Sequence, residues 1–239
     1  MKRLLKIILN IVFPPKCASC KEILPYYSDE LLCDKCREQW NNEKETKCNR
    51  CGKNISVCRC MPESCKDVID MLVSVAPYTS SGSVTDNIVL VAKEDNNKAL
   101  FKFMASEMSK AAYAEFPSIE DSIVAYVPRS FARKNETGHD QSEYIARYVA
   151  ENFSLKVEKL FRKKGKIQQK MLGAQERTLN AESSYVMRKN IACDLKNKTL
   201  ILCDDVVTTG ASLSVCAKQL IDAGAERVYA LTFAKTLKK

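Results

Sequence analysis

The sequence predicts an open, mainly parallel α/β sheet with a small cysteine-rich zinc module at its N-terminus. Three observations predict it. Strand and helix patterns alternate from about Ile69 onward, and nine of the twelve cysteines lie between Cys17 and Cys65. The third is an apolar run, "TLILC", that passes directly into two aspartates and a turn of small residues. A length of 239 residues holds one medium domain and one small one, divided here as 1–66 and 67–239.

The first segment, "MKRLLKIILNIVFPPK", places Leu4, Leu5, Ile8, Leu9 and Val12 on one helical face. Lys6 interrupts it and no small-residue cleavage site follows, so it does not read as a secretory signal. It is also short of the roughly 20 apolar residues that span a bilayer. Its apolar face is expected to pack on the body of the protein, with membrane or partner contact as the alternative. The chain reads as cytoplasmic, where thiols stay reduced and clustered cysteines hold metal.

Cys17-x2-Cys20, twelve residues, then Cys33-x2-Cys36 is a strong zinc signature. Each knuckle turns two sulfurs toward one point, and two knuckles complete a tetrahedral thiolate cage. Cys48, Cys51, Cys58 and Cys60 form the simplest second site. Cys65 in place of one member, or crossed pairing between the sites, stays open at this level. A disulfide framework would need an oxidising compartment that no other feature supports. A catalytic zinc would usually recruit histidine or carboxylate, and His139, the single histidine, is far from the cluster. The zinc is therefore expected to be structural. Eight thiolates and two Zn²⁺ bring the formal charge of +9 down to about +5.

"VIDMLVSVAPY" is strand-like, and Val84, Ile88 and Val91 mark a short helix. A longer helix is predicted from Lys98 to Phe116, with Leu100, Phe103, Met104 and Met108 on one face. "SIVAYVP" is a strand and Gln141 to Asn152 a helix. Residues 155–199 hold twelve Lys or Arg against four Asp or Glu, and "FRKKGKIQQK" within them is too polar for a core element. It reads as an exposed basic loop, either a solvated face or a lid over a polyanion. Leu213, Cys216, Ala217 and Leu220 give the next helical stripe, stopped by Gly224, and "RVYALTFAK" is the last strand.

The stretch "LILCDDVVTTGAS" carries the chemistry. Adjacent carboxylates at the end of a buried strand repel each other, so Asp204 and Asp205 need a diol to hydrogen-bond or a cation to hold. Thr208, Thr209, Gly210, Ala211 and Ser212 form a turn whose backbone N–H groups can converge on an anion at a helix N-terminus. Parallel sheets bind ligands at this end of their strands. Neither G-x-x-x-x-G-K-[ST] nor G-x-G-x-x-G occurs, and G-x-S-x-G is absent, so nucleotide P-loops, dinucleotide folds and serine hydrolases are excluded.

That stretch closely resembles the phosphoribosyl-pyrophosphate (PRPP) signature of type I phosphoribosyltransferases. The whole layout resembles the ComF family of bacterial competence proteins, through "FPPKCASC", "YTSSGSVTDNIVLVAK", "RKNETGHDQ", "QQKMLGAQERTLN" and "AGAERVYALTFAK". The resemblance implies a sheet of the phosphoribosyltransferase kind. It implies that Asp204 and Asp205 bind the ribose hydroxyls, directly or through Mg²⁺, and act as the catalytic pair. It implies that Thr208 to Ser212 cradle the 5′-phosphate, that Pro128, Arg129 and Ser130 face the pyrophosphate, and that Arg162 to Arg177 close over the substrate. "GHDQ" and "YVPRSFAR" depart from the family's usual aromatic-Asn-Gln and histidine-bearing turns. His139 is expected to be a surface or hydrogen-bonded residue rather than a base.

Two functions follow from the resemblance. One is transfer of a phosphoribosyl group from PRPP to a nitrogen acceptor. The other is handling of single-stranded DNA during uptake, with a competence helicase of the ComFA kind as partner and the basic segment gripping phosphates.

Overall fold

The computed structural model describes residues 13–163, 184–189, 191 and 193–237. The apolar N-terminal segment before Phe13 and most of the basic stretch, residues 164–183, lie outside them.

The cysteine-rich region contains helix α1 (Asp34–Lys44) and two 3₁₀ turns, Ile55–Val57 and Glu63–Cys65. Then come β1 (Met71–Tyr78), α2 (Val84–Glu94), α3 (Lys98–Glu115), β2 (Ile123–Tyr126) and α4 (Phe131–Thr137). They are followed by α5 (Gln141–Phe153), β3 (Lys156–Val157), β4 (Phe161–Lys163) and β5 (Tyr185–Met187). The chain ends with β6 (Thr199–Val207), α6 (Ala211–Asp222) and β7 (Arg227–Thr236).

Five strands form one sheet in the order β1-β7-β6-β2-β3, every pair parallel, and β4 and β5 form an antiparallel ribbon. The alternation of strand and helix thus yields the parallel α/β architecture it predicts, with the cysteine-rich module ahead of it. Central β6 is buried on both faces, which is why Leu200 to Cys203 reads as a continuous apolar run. Ile201 and Cys203 belong to the core under α2, α3 and α5, while Leu200 and Leu202 belong to the core under α6. Pro77 interrupts β1 without cost because β1 is an edge strand.

Local chemistry explains the helix ends. Ser83 and Asp86 make a reciprocal capping box at the start of α2. At the end of α6, Gly224 takes φ +97°, its N–H donates to the Ile221 carbonyl, and Ala225 N–H donates to that of Leu220. This closes the helix in the left-handed motif that favours glycine.

Two sequence expectations are corrected. β6 does not end with the acidic pair, as "TLILCDD" suggests, but runs two residues beyond it to Val207. "FRKKGKIQQK" begins as a strand rather than a loop: Phe161 is buried and Lys163 pairs with Tyr185. The polar composition hid this because a single buried aromatic anchors a three-residue strand.

The cysteine module packs against the main core. Trp40 of α1 lies flat on Phe233 of β7, with ring centroids 5.2 Å apart, and Cys17, Cys36 and Leu32 join the same core. Glu43 accepts hydrogen bonds from the N–H groups of Val84 and Thr85 and from the Thr85 hydroxyl, tying α1 to the N-terminus of α2.

Candidate functional site

Cys17, Cys20, Cys33 and Cys36 bring their sulfurs within 4.8 Å of one another, as do Cys48, Cys51, Cys58 and Cys60. Sulfurs of a tetrahedral Zn–S₄ site, with bonds near 2.3 Å, are about 3.8 Å apart. The Cys20–Cys33 and Cys51–Cys58 separations of 3.7 and 3.6 Å fit that edge. Gathering four thiols also splits their proton affinities. Burial alone would raise Cys17, but backbone hydrogen bonds from Cys33, Cys20 and Ser19 hold it at about 7. Burial and the neighbouring thiols push Cys36 up to about 12. Four sulfurs in such a set are matched by a divalent cation of zinc type, and no fifth position is offered for chemistry. Both sites are structural, with the pairings that the spacing favours.

Cys65 joins neither site. It is fully buried in a 3₁₀ turn, with its thiol 3.5 Å from the Gly210 carbonyl oxygen. Buried Lys235 of β7 reaches the second site, pointing its ammonium at the Cys60 carbonyl and lying 3.7 Å from the Cys58 sulfur.

Asp204 and Asp205 lie near the carboxyl end of β6, Asp205 buried and Asp204 half-buried. Burial, and then the adjacent Asp205 charge, raise the Asp204 carboxyl well above the usual carboxylate range. The Asp205 N–H donates to Asp204 Oδ1 at 2.9 Å, and the Val206 N–H to Asp205 Oδ1 at 2.7 Å. Gln141 Nε2 donates to Asp205 Oδ2 at 2.9 Å, Lys93 Nζ lies 3.5 Å from the same oxygen, and the Ser142 hydroxyl faces Asp204 Oδ1 at 3.3 Å. Among the described residues Lys93 alone forms an ion pair with the two carboxylates, so the pair retains the capacity to take a metal ion or two hydroxyl donors.

Beyond the pair, Thr208 and Thr209 are exposed, and Gly210 caps α6 with φ +77°. A Cβ at Gly210 would sit 2.5 Å from the Cys65 sulfur and 3.0 Å from Pro62, so this close approach, like the left-handed backbone, admits only glycine. The first N–H groups of α6 have no partner within the helix. Ser212, on the first turn, donates its hydroxyl to Tyr185 at 3.1 Å, and Lys163 Nζ donates to the same phenol oxygen at 2.8 Å. Burial lowers the Lys163 ammonium, and the Asp204 charge acts in the opposite direction.

Pro128, Arg129 and Ser130 form the turn after β2, the strand beside β6. Arg129 directs its guanidinium to the Lys93 carbonyl at 2.9 Å and the Thr137 hydroxyl at 3.3 Å. Its N–H donates to Asp140 Oδ2, which also receives Lys134 Nζ at 2.8 Å. Asp140 and Gln141 thus link this turn to the acidic pair through consecutive residues. His139 is buried, with its ring nitrogens 2.9 and 3.0 Å from the carbonyl oxygens of Thr137 and Ala92. It is a hydrogen-bonded scaffold residue.

Ser142 and Tyr185 carry no site signal in the sequence, Lys93 and Gln141 stand there only within stretches that carry the family resemblance, and Lys163 only as part of the basic loop. A Gln following an acidic N-cap residue is the one available signal, and it acquires meaning only with α5 docked against β6. A hollow of about 520 Å³ lies away from this constellation, lined by Arg50, Arg59, Asp67, Asp70 and Glu226 among others. Its mixed charges define no ligand class.

Residues 8–69 match the double zinc ribbon domain family. No curated protein matches the chain. Among solved structures, a hypoxanthine phosphoribosyltransferase from Staphylococcus aureus is similar at 9% identity and TM-score 0.35, over 56% of this chain and 62% of that one. The allosteric regulatory enzyme of purine biosynthesis is similar at 14% identity and TM-score 0.41, over 60% of this chain and 30% of that one. An adenine phosphoribosyltransferase is similar at 20% identity and TM-score 0.39, over 58% of this chain and 71% of that one. The chain therefore spans less than two thirds of the first two. Overlap at this level is partial.

Proposed function

We propose that this chain binds PRPP with Mg²⁺ and performs phosphoribosyltransferase-type chemistry. The observation that carries it is the acidic pair on β6 followed, within one turn, by a left-handed glycine at the N-terminus of α6. A diol and a phosphate separated by the length of a ribose 5-phosphate would engage both ends of this arrangement. The signature's resemblance to that of type I phosphoribosyltransferases supports the same ligand.

In this reading Asp204 and Asp205 accept hydrogen bonds from the ribose hydroxyls or hold Mg²⁺, which when bound neutralises pyrophosphate charge. The Gly210 to Ser212 amides hold the 5′-phosphate, and Lys163, placed through Tyr185 beside Ser212, adds positive charge to that side. Gln141 and Lys93 fix Asp205. In the transfer, the bond from ribose C1 to the pyrophosphate oxygen breaks with its electron pair leaving on pyrophosphate. A bond from C1 to the acceptor nitrogen forms, and that nitrogen gives up a proton. Positive charge builds on the ribose as pyrophosphate departs, and carboxylates nearby favour it.

The resemblance to ComF proteins supports a setting in DNA uptake, alongside a helicase. Arg162, Arg188 and Lys189 are exposed on and beside the β4–β5 ribbon, where single-stranded phosphates could meet them. No helix among the described residues is long and apolar enough to cross a membrane.

Calorimetric titration with PRPP, with and without Mg²⁺, tests the central reading. Wild-type protein should bind with Mg²⁺ assistance. Asp204→Asn/Asp205→Asn should weaken binding by at least about a hundredfold, because two charged hydrogen bonds are each worth about 1.5–3 kcal/mol. Wild-type protein that binds no PRPP would overturn the proposal.

A further inference from the structure

The end of the cysteine-rich module reaches the anion turn directly. Ser64 donates its hydroxyl to the Thr209 carbonyl at 2.8 Å, and the Cys65 thiol faces the Gly210 carbonyl at 3.5 Å. Burial pushes the Cys65 thiol up, so it stays protonated and able to donate. The Gly210 carbonyl also accepts the Ser214 N–H at 2.8 Å, the first bond of α6. Pro62 and Cys65 fill the space a Gly210 side chain would need. The floor of this turn is therefore built by residues some 145 positions earlier in the chain.

The covalent geometry gives these contacts a consequence. In a trans peptide the C=O and the following N–H point in opposite directions. Holding the Thr209 and Gly210 carbonyls against the module turns the Gly210 and Ala211 N–H groups away from it. We propose that Ser64 and Cys65 are positioning residues for the anion turn, fixing two carbonyls so that the succeeding amides face the ligand's phosphate. The inference rests on the proposed phosphoribosyl site for its ligand, but its geometry is independent of that ligand. Zinc bound by Cys60, five residues upstream, would anchor the segment.

Two measurements on the full-length zinc-loaded protein decide it: amide hydrogen exchange without ligand, and titration with ribose 5-phosphate. Ser64→Ala removes one donor from an exposed residue and leaves the fold intact, while Cys65→Val removes the other at the cost of a slightly bulkier side chain. Each should speed exchange by about tenfold, the worth of one hydrogen bond, at Ser214, whose N–H is bonded to the Gly210 carbonyl, with β6 and β7 amides unchanged. Each should weaken ribose 5-phosphate binding by about the same factor, and Cys65→Ser, whose hydroxyl can donate, should recover both relative to Cys65→Val. Unchanged exchange at Ser214 overturns the inference, as does acceleration spread evenly across the sheet. If Cys65→Val does not fold, Ser64→Ala decides alone. Wild-type protein that fails to bind ribose 5-phosphate overturns the proposed function, and the exchange result still judges the positioning role.

Discussion

The two zinc sites and the acidic site are assembled over different distances along the chain. Each zinc site draws its four sulfurs from a single stretch, 17–36 or 48–60. The acidic site gathers Ser64, Lys93, Gln141, Lys163, Tyr185, Asp204 and Gly210 from six separate segments. A site that folds within one loop can be read from spacing alone, because metal geometry fixes the spacing. A site spread across a sheet depends on strand order. The zinc sites also differ from each other: the first is continuous with the main core, whereas Cys48, Ile55 and Cys58 form a small cluster of their own.

That difference can be broken most forcefully at the ligands. Cys20 and Cys51 are both exposed and hold equivalent places in their sites, so Ser substitutions at each compare surroundings rather than chemistry. Structural zinc contributes on the order of 10 kcal/mol in small zinc domains. Cys20→Ser should lower the melting temperature by about 10 °C or more, since losing the site frees the helix that holds Trp40 on Phe233. Cys51→Ser should lower it by about half as much. Thermal unfolding with elemental zinc analysis checks both, starting from two zinc ions in the wild type. Equal losses would show that the two sites bear on the core alike.

Much of the architecture is legible in the sequence alone. Apolar periodicity marks β1, α2, α3, α5, α6 and β7, because each buries one continuous face or run. The short elements are not legible. Lys156–Val157 has no pattern that two residues could show, and Phe161–Lys163 becomes a strand only by pairing with Tyr185–Met187. Trp40 gives no signal either, since its burial depends on Phe233, nearly the whole chain away. At the site, the acidic pair and the turn stand out because adjacent carboxylates and small hydroxylated residues are poor packing material. Their partners do not, because Lys93, Gln141 and Tyr185 are ordinary residues until the sheet brings them there.

The β4–β5 ribbon sharpens the comparison at intermediate scale, for adjacent residues there face different tasks. Lys163 is half-buried and bonded to Tyr185, while Arg162 is exposed. Lys163→Ala should weaken ribose 5-phosphate binding by about tenfold or more, as expected for a hydrogen bond involving a charged group. Arg162→Ala should leave it unchanged. Replacing Arg162, Arg188 and Lys189 together by Ala should instead reduce the salt dependence of single-stranded DNA binding, by about 0.7 in log–log slope for each phosphate that is no longer neutralised. A slope that stays constant removes the exposed ribbon from any DNA surface.

The smallest expected effect separates stability from function within the acidic pair itself. Burial and the Asp205 charge raise the Asp204 carboxyl in the folded protein, while the unfolded chain returns it to about 3.9. Below that value both states hold the proton and no penalty exists. As pH rises, the unfolded chain releases its proton first, so folding stability falls until the folded carboxyl has also ionised. Asparagine carries no such charge. Asp204→Asn should therefore melt a few degrees above the wild type at pH 7, with the gap closing as pH approaches 4. Mg²⁺ should narrow the gap from the other side, by stabilising the ionised pair in the wild type alone. Differential scanning calorimetry across pH, with and without Mg²⁺, measures both trends. A gap independent of pH would mean that Asp204 is ionised without cost in the folded protein. The acidic pair would then be an ordinary feature of the strand end, rather than a charge arrangement kept against stability for its ligand.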